Sequence, residues 1–237
     1  MFVGHAAVAL AAKPLAPRVS LGLLFVAAYW IDIVWPVLLL AGVERVEIRP
    51  GDTAFTPLAF VHYPWTHSLT AALVWSVLFS AAFLRLGRRA ALVLGLLVAS
   101  HWFLDALVHR PDLPLWPGSA ALIGLGLWNS IAATLLVEGA LFAAGVAIYV
   151  RHAPVRDATG AFAFWALIGF LVLAYVANIV GPPPPSVSTI AYAGLAGGAL
   201  FAAWAWWADR HRGSVKAQMG AVMSLLSSQL RNTWRDS

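Results

Sequence analysis

The segment SHWFLDALVH, residues 100–109, places three side chains that bind metals or transfer protons within an apolar run. His101, Asp105 and His109 follow one another at intervals of four residues, which is slightly more than one helical turn. In a helix all three share one face, with a drift of about 40° per step. A His and an Asp at positions i and i+4 can hold one metal ion from that face, whereas His109 is expected at the outer end of the helix.

Other ionisable residues interrupt apolar segments elsewhere in the chain, and they converge in depth. Counted from the cytoplasmic ends of their predicted helices at 1.5 Å per residue, His101 lies about 18 Å deep, Asp32 about 21 Å and Glu138 about 16 Å. His67 and His5 fall into the same belt, between the centre of the bilayer and its outer half. Ionisable groups in hydrocarbon are costly unless they are paired or hydrated, so a shared belt indicates a functional site.

The belt predicts a metal site with nitrogen and oxygen ligands, because the chain contains no cysteine. The predicted ligands are His5, Asp32, His67, His101 and Asp105. Zinc is the first choice for such a set, and manganese or iron is an alternative. Glu138 or His109 would then act as a general base or acid.

A purely structural interpretation uses the same residues. A buried hydrogen-bond network or a proton path would also bring imidazoles and carboxylates together within the membrane. In that interpretation His67 belongs to a helix start capped by Thr66, His5 lies at an interface, and His62 is solvated in a loop.

The composition predicts an all-α, polytopic transmembrane bundle that provides the scaffold for this belt. Hydrophobic residues make up 61% of the 237 positions and charged residues only 11%, too few for the surface of a soluble domain. At about 20 residues per crossing, six segments are long enough to span a bilayer. They are residues 20–43, 66–86, 89–109, 122–150, 161–181 and 187–208. A short apolar piece at 2–13 is predicted to be a half-helix that does not cross.

The domain organisation follows from these segments. Residues 1–211 are predicted to form the transmembrane domain, and residues 212–237 a cytoplasmic tail that is either amphipathic or flexible. Basic residues flank one side of the predicted spans at 13–18, 85–89, 151–156 and 210–216. The positive-inside rule places that side, and both ends of the bundle, in the cytoplasm. The net charge of +5 therefore reflects topology, and no nucleic-acid partner is predicted.

Two arginines on the opposite, external side are candidates for binding an anionic group. Arg110 follows the His101 segment directly, and Arg45 lies in the long connection at 44–65. Guanidinium groups bind carboxylate and phosphate well. The alternative is that both arginines only anchor the ends of spans in the interface.

The order of the motifs resembles the bacterial family of inner-membrane metal-dependent hydrolases. The resemblance rests on Gly4-His5, on Asp32, on Thr66-His67-Ser68 and on SHWFLD at 100–105, and it covers about residues 1–110. That family is distantly similar to zinc-dependent phospholipase C and P1-type nucleases, which hold several zinc ions with His and Asp. The chain departs from the pattern at YWIDIVWP, which has one aspartate instead of two, and at Ser100, where the family favours glycine.

The sequence thus predicts a bacterial inner-membrane hydrolase that acts on a lipid or phosphoester from the external face. Its partners would be membrane lipids and a small-molecule or lipid substrate. A metal- or proton-coupled transporter is an alternative, which broken helices would favour and the lack of a visible inverted repeat disfavours. A redox enzyme with a di-iron or copper site, or a scaffold without a site, would also accommodate these residues.

Overall fold

The computed structural model describes residues 1–213, and these residues form a bundle of helices with two small β-hairpins. The helices are α1 (Val3–Ala11), α2 (Leu21–Ala28), α3 (Trp30–Leu40), α4 (Pro64–His67), α5 (Leu69–Ala82), α6 (Arg88–Val108), α7 (Ile131–His152), α8 (Ala158–Val180) and α9 (Val187–Arg210). The hairpins pair β1 (Arg45–Ile48) with β2 (Leu58–His62), and β3 (Leu113–Pro114) with β4 (Leu122–Ile123). The predicted all-α class is confirmed. The predicted tail lies almost entirely outside the described residues.

Within the described part of the chain, four helices are long and apolar enough to cross a membrane, namely α6, α7, α8 and α9. A fifth crossing results if α2 and α3 count as one span bent by 55°. The predicted second span is shortened to α5, whose 14 residues reach only about 21 Å, against the ~30 Å of a bilayer core. The structure therefore supports a membrane protein without confirming the predicted count of six spans.

Side-chain caps explain where several helices begin. The first N–H groups of a helix lack partners within it, and a Ser or Asp side chain just before the helix can accept from one of them. Ser68 accepts from Ala71 N at 3.1 Å, so α5 begins after Ser68 rather than at residue 66. Ser130 likewise caps α7, so the predicted span at 122–150 begins with β4 and a short turn instead of helix. Further caps of this kind are Ser20, Asp157 and Ser186.

The first predicted span is broken at Tyr29, where α2 ends and α3 turns away. Pro36 lies inside α3 and has no N–H, so the carbonyl of Asp32 loses its usual partner one turn later. The bend and the proline together place Asp32 in the first turn of a separate short helix. Its carboxylate can therefore face the interior of the bundle instead of following the direction of α2.

Close packing at two glycines fixes the short helices against the long ones. A Cβ on Gly145 of α7 would lie 2.4 Å from the carbonyl oxygen of Ala7 in α1. A Cβ on Gly22 of α2 would lie 2.5 Å from the carbonyl oxygen of Ala202 in α9. Only glycine allows backbones to approach this closely, which is a common way for membrane helices to associate.

Asp209 joins three helices and the turn after α1 at the end of the bundle away from the hairpins. Its carboxylate accepts from Lys13 Nζ at 2.6 Å, from the Tyr149 hydroxyl at 2.8 Å and from Leu21 N at 3.0 Å. The side chains of Lys13 and Asp209 are only 10% and 9% exposed. This network connects α9 to α7, to the start of α2 and to the turn after α1, and so sets the height of α1 in the bundle.

Replacing Asp209 with Ala should strongly destabilise the bundle, because it leaves the buried Lys13 ammonium without a counter-ion. The expected loss is about 3–5 kcal/mol, or a fall of about 10 °C in the apparent melting temperature. The measurement is thermal unfolding of the detergent-purified protein. The matched control is Glu47→Ala, which removes the ion pair with Arg49. The side chains of Glu47 and Arg49 are 51% and 53% exposed, so this pair should contribute little to stability. Equal shifts in the two variants would contradict the assignment.

Candidate metal centre

Four potential ligand atoms from three helices lie close together inside the bundle. The Nε2 atom of His101 is 3.5 Å from Asp32 Oδ1 and 3.1 Å from Asp105 Oδ2. The Nε2 atom of His67 is 3.6 Å and 3.8 Å from the same two oxygens. In a tetrahedral zinc site with bonds of ~2.0–2.1 Å, neighbouring ligand atoms are about 3.3 Å apart. These four imidazole–carboxylate distances are therefore close to those between ligands of one ion, while Asp32 and Asp105 fall into separate groups of mutually close ligand atoms.

The local structure explains how these side chains converge. His101 and Asp105 are one turn apart on α6, as their spacing predicts. His67 ends the four-residue helix α4, and Asp32 projects from the first turn of α3. The side chains of His67, His101 and Asp105 are at most 3% exposed, whereas that of Asp32 is 37% exposed because it borders a cavity.

A hydrogen-bond relay fixes the tautomer of His67. Three donors surround the Glu44 carboxylate: Trp65 N at 2.8 Å, Thr66 N at 2.9 Å and the Thr66 hydroxyl at 2.7 Å. Because the Thr66 hydroxyl donates to Glu44, it accepts from Nδ1–H of His67, 2.7 Å away. The Nε2 lone pair of His67 is thereby directed at the aspartates. Burial raises the pKa of Glu44, and the hydrogen bonds from Thr66 oppose that rise.

A backbone carbonyl orients His101 in the same way. Its Nδ1 is 3.0 Å from the carbonyl oxygen of Ala28, the last residue of α2. Although His101 Nε2 lies near Asp105, it makes no hydrogen bond within the described part of the chain. An imidazole with its Nδ1–H held by a carbonyl and its Nε2 directed at carboxylates is the usual arrangement of a histidine ligand.

His5 lies on the other side of Asp105. Its Nε2 is 3.2 Å from Asp105 Oδ1, and its ring stacks on that of His101 with 3.8 Å between the centroids. The Met1 amino group also contacts Asp105 Oδ1. The structure thus brings all five predicted ligands together, in two groups that share His101. The groups are His5 with His101 and Asp105, and Asp32 with His67 and His101.

A cavity of about 700 Å³ opens beside the cluster. Asp32, His67 and Asp105 line one part of it, together with His109. The rest of its wall comes from the start of the chain, from α3, α8, α9 and the α8–α9 turn, from the β1–β2 hairpin with its loop, and from Trp128. A reacting molecule in this cavity would reach the carboxylates and imidazoles without passing through the core of the bundle.

His109 lines the cavity, and one of its ring nitrogens is hydrogen-bonded to a carboxylate. Its Nδ1 lies 3.0 Å from Asp112 Oδ1, which also accepts from the Tyr63 hydroxyl at 2.6 Å. The ring is held between Trp128 and Phe60, at centroid distances of 4.3 Å and 4.7 Å. Since Nδ1–H donates to Asp112, Nε2 is left to exchange a proton. The Asp three residues after His109 is a sequence signal for this pairing that our sequence analysis missed.

The two arginines predicted to bind an anion do not line the cavity. Arg110 donates to Asp52 at 2.7 Å and to Asp112 at 3.2 Å, so its guanidinium is engaged by two carboxylates. Arg45 is exposed on β1, opposite His62. The predicted substrate-binding role therefore stays a prediction for both arginines, without support from the lining of the cavity. Arg110 instead supports Asp112, and through it His109.

Glu138 is placed differently from the general base that the sequence suggested. It is fully buried on α7, and its Oε2 accepts from Phe2 N at 3.0 Å and from Gly4 N at 3.3 Å. It does not line the cavity and belongs to neither ligand group. Glu138 supplies an acceptor to N–H groups at the start of α1, which have no partners within that helix. It therefore positions α1, and with it His5.

Three comparisons with known proteins found no relative of this chain. Neither the family models, nor the curated proteins, nor the solved structures give a match to this chain. The functional argument therefore depends on the residues and their geometry.

Thr66→Val should release the tautomer of His67, because valine keeps the shape of threonine but cannot accept from Nδ1–H. In the unsubstituted protein we expect the proton of neutral His67 on Nδ1, and in the variant a mixture of tautomers. Nitrogen-15 NMR of histidine-labelled protein after chelator treatment measures this. The control is Thr159→Val on the exposed start of α8. An unchanged His67 signal in Thr66→Val would contradict the relay.

Proposed function

We propose that the chain is a metal-dependent hydrolase embedded in the bacterial inner membrane. The observation that carries the proposal is that the Nε2 atoms of His67 and His101 each lie 3.1–3.8 Å from carboxylate oxygens of both Asp32 and Asp105, at the edge of a cavity. Both of its imidazoles have Nδ1 engaged elsewhere. The buried Asp105 carboxylate and the unpartnered Nε2 of His101 are costly in an apolar bundle, and a divalent cation would offset that cost.

The proposed ligands are Asp32, His67, His101 and Asp105, with His5 available to Asp105 on its far side. Nitrogen and oxygen donors at this spacing favour zinc, with manganese or iron as alternatives. Such a metal would supply Lewis acidity and would make a water molecule acidic enough to yield hydroxide near neutral pH.

The chain's own residues supply the other requirements of hydrolysis. Hydrolysis would form a bond from a water oxygen to the carbonyl carbon or phosphorus and break the bond to the leaving oxygen. The attacking water would release one proton to solvent, and the leaving oxygen would take one up. His109 Nε2, on the cavity wall, is the group we propose to deliver the proton that the leaving oxygen takes up. Asp112 orients the His109 ring and would stabilise the imidazolium that carries this proton, as a carboxylate does for a catalytic histidine. The aromatic rings around His109 exclude bulk water.

We further propose a topology in which the β-hairpins face the exterior. Lys and Arg at the opposite end, including Arg88, Arg151 and Arg210, support a cytoplasmic location for that end. In this arrangement α5 and the bent pair α2–α3 complete six crossings, with α1 as a half-helix. The substrate would then be a lipid or phosphoester that reaches the cavity from the external side or from the bilayer.

One observation favours the transporter alternative. The span formed by α2 and α3 is broken by 55° directly before Asp32, and broken helices commonly form ion sites in transporters. Zinc accumulation by sealed vesicles that contain the protein would support that alternative, whereas a hydrolase predicts none. A redox di-iron or copper site predicts absorbance in the visible range, which zinc lacks.

The double variant His101→Ala/Asp105→Ala should lose the metal. We expect zinc near or above one ion per chain in the detergent-purified protein and almost none in the variant, because both groups of ligands include His101. Elemental mass spectrometry measures the content, and size-exclusion chromatography verifies folding. His62→Ala, on an exposed residue of β2, is the control and should retain zinc. A metal-free protein that stays folded in chelator would overturn the proposal.

His109→Gln should lower the rate of hydrolysis by roughly 10²–10⁴-fold while the metal content is retained. The loss should be large with butyl phosphate, whose leaving oxygen requires a proton, and small with 4-nitrophenyl phosphate, whose leaving group does not. Released phosphate is the measurement for both substrates. His62→Gln is the matched control. Equal losses with both substrates would show that His109 does not act as the acid.

A further inference from the structure

The cavity extends well beyond the residues that we propose as metal ligands. On α9 it is bordered from Thr189 to Phe201, a length of about 18 Å along the helix axis. On α8 it is bordered by residues between Ala174 and Ile179. Its volume of about 700 Å³ lies within the ~300–1,000 Å³ typical of small-molecule sites. The cavity is thus longer than a small polar substrate requires.

Three glycines on α9 border this extension, and only two of them are needed for helix packing. A Cβ on Gly194 would meet Pro36 at 3.2 Å, and one on Gly198 would meet Ile33 at 3.3 Å, so these two accommodate α3. A Cβ on Gly197 would meet only the Phe201 ring, at 3.7 Å, which is ordinary contact. The missing side chain of Gly197 therefore contributes to the width of the cavity rather than to the approach of α3.

The chemistry of the wall is apolar away from the proposed metal centre. Among the described residues, the lining contains no Lys or Arg. Its ionisable side chains are Tyr29, Asp32, His67, Asp105 and His109, and Met1 at the start of the chain also borders it. In the extension the polar side chains are Asn178 and threonines such as Thr189. A ligand that fills the whole cavity must therefore be apolar along most of its length and carry its polar, reactive group at one end.

We infer that the extension holds one aliphatic chain of a lipid substrate whose head group reaches the metal centre. This inference rests on the proposed function for the role of the head group, but the chain site is defined by the cavity alone. A bundle with membrane-spanning helices is surrounded by such chains. Burial of apolar area along α9 then contributes to substrate affinity, and chain length becomes a determinant of specificity.

Photo-crosslinking tests the site without requiring turnover. The full chain is reconstituted in phosphatidylcholine vesicles that contain phosphatidic acid with a diazirine at the end of one acyl chain. We expect label on the α9 segment 190–201, lost in Gly197→Leu and retained in Gly169→Leu. Gly169 lies on α8 with nothing near its Cβ position and outside the cavity, so it is a matched control. Equal labelling of both variants, or labelling of other segments only, would overturn the inference.

A chain-length comparison tests the same site in the proposed reaction. The KM for hexadecyl phosphate should rise at least about tenfold relative to that for butyl phosphate in Gly197→Leu, because buried methylene groups are displaced. Gly169→Leu should leave this ratio unchanged, and zinc content should match the parent in both variants. Hydrolysis whose KM does not depend on chain length would contradict the proposed chain site but not the proposed function. If α9 is labelled but the protein contains no metal and hydrolyses neither phosphate ester, the proposed function is contradicted and the chain site is retained.

Discussion

Carboxylates and imidazoles packed within an apolar helical bundle constitute the constraint on which the rest of this structure depends. Asp105 is almost completely buried, and His5 and His101 are fully so. Each such group is unfavourable in the interior unless another group or an ion compensates it. The structure meets part of this requirement with the Met1 amino group at Asp105, the Ala28 carbonyl at His101 and the Thr66–Glu44 pair at His67. The remaining ring nitrogens and carboxylate oxygens face one another at the spacing expected of metal ligands.

The short helices are held by interactions that the long helices provide. Helix α1 has only nine residues and could not maintain its position alone. Glu138 accepts from N–H groups at its start, Gly145 allows its close approach to α7, and the Lys13–Asp209 pair fixes the turn that follows it. The position of α1 along the bundle and its rotation about its own axis determine where His5 contacts Asp105. The stability of the site is therefore distributed over contacts on both sides of the bundle.

The connection that contains β1 and β2 supports two histidines and also borders the cavity. Glu44, next to β1, reaches back to Thr66, while Phe60 of β2 packs on the ring of His109. The same connection contributes the loop that borders the cavity. A long connection between two helices is thus used to orient two histidines and to limit the water that reaches them. Such a division between rigid helices and a covering loop is common where a site must be both ordered and accessible.

The sequence by itself determined the helical, membrane-type composition and the shared face of His101 and Asp105, and it predicted the five residues that the fold brings into two ligand groups. These properties follow from apolar run length and from the 3.6-residue period, which are local. Only the tertiary structure assigned Glu138 to the start of α1, Arg110 to Asp112, and Glu44 to Thr66. It also broke the first span at Tyr29 and shortened the second to α5. The physical reason is that the partner of a buried polar group is set by which segments pack together, and residues 134 positions apart, such as Gly4 and Glu138, carry no local signal of their contact.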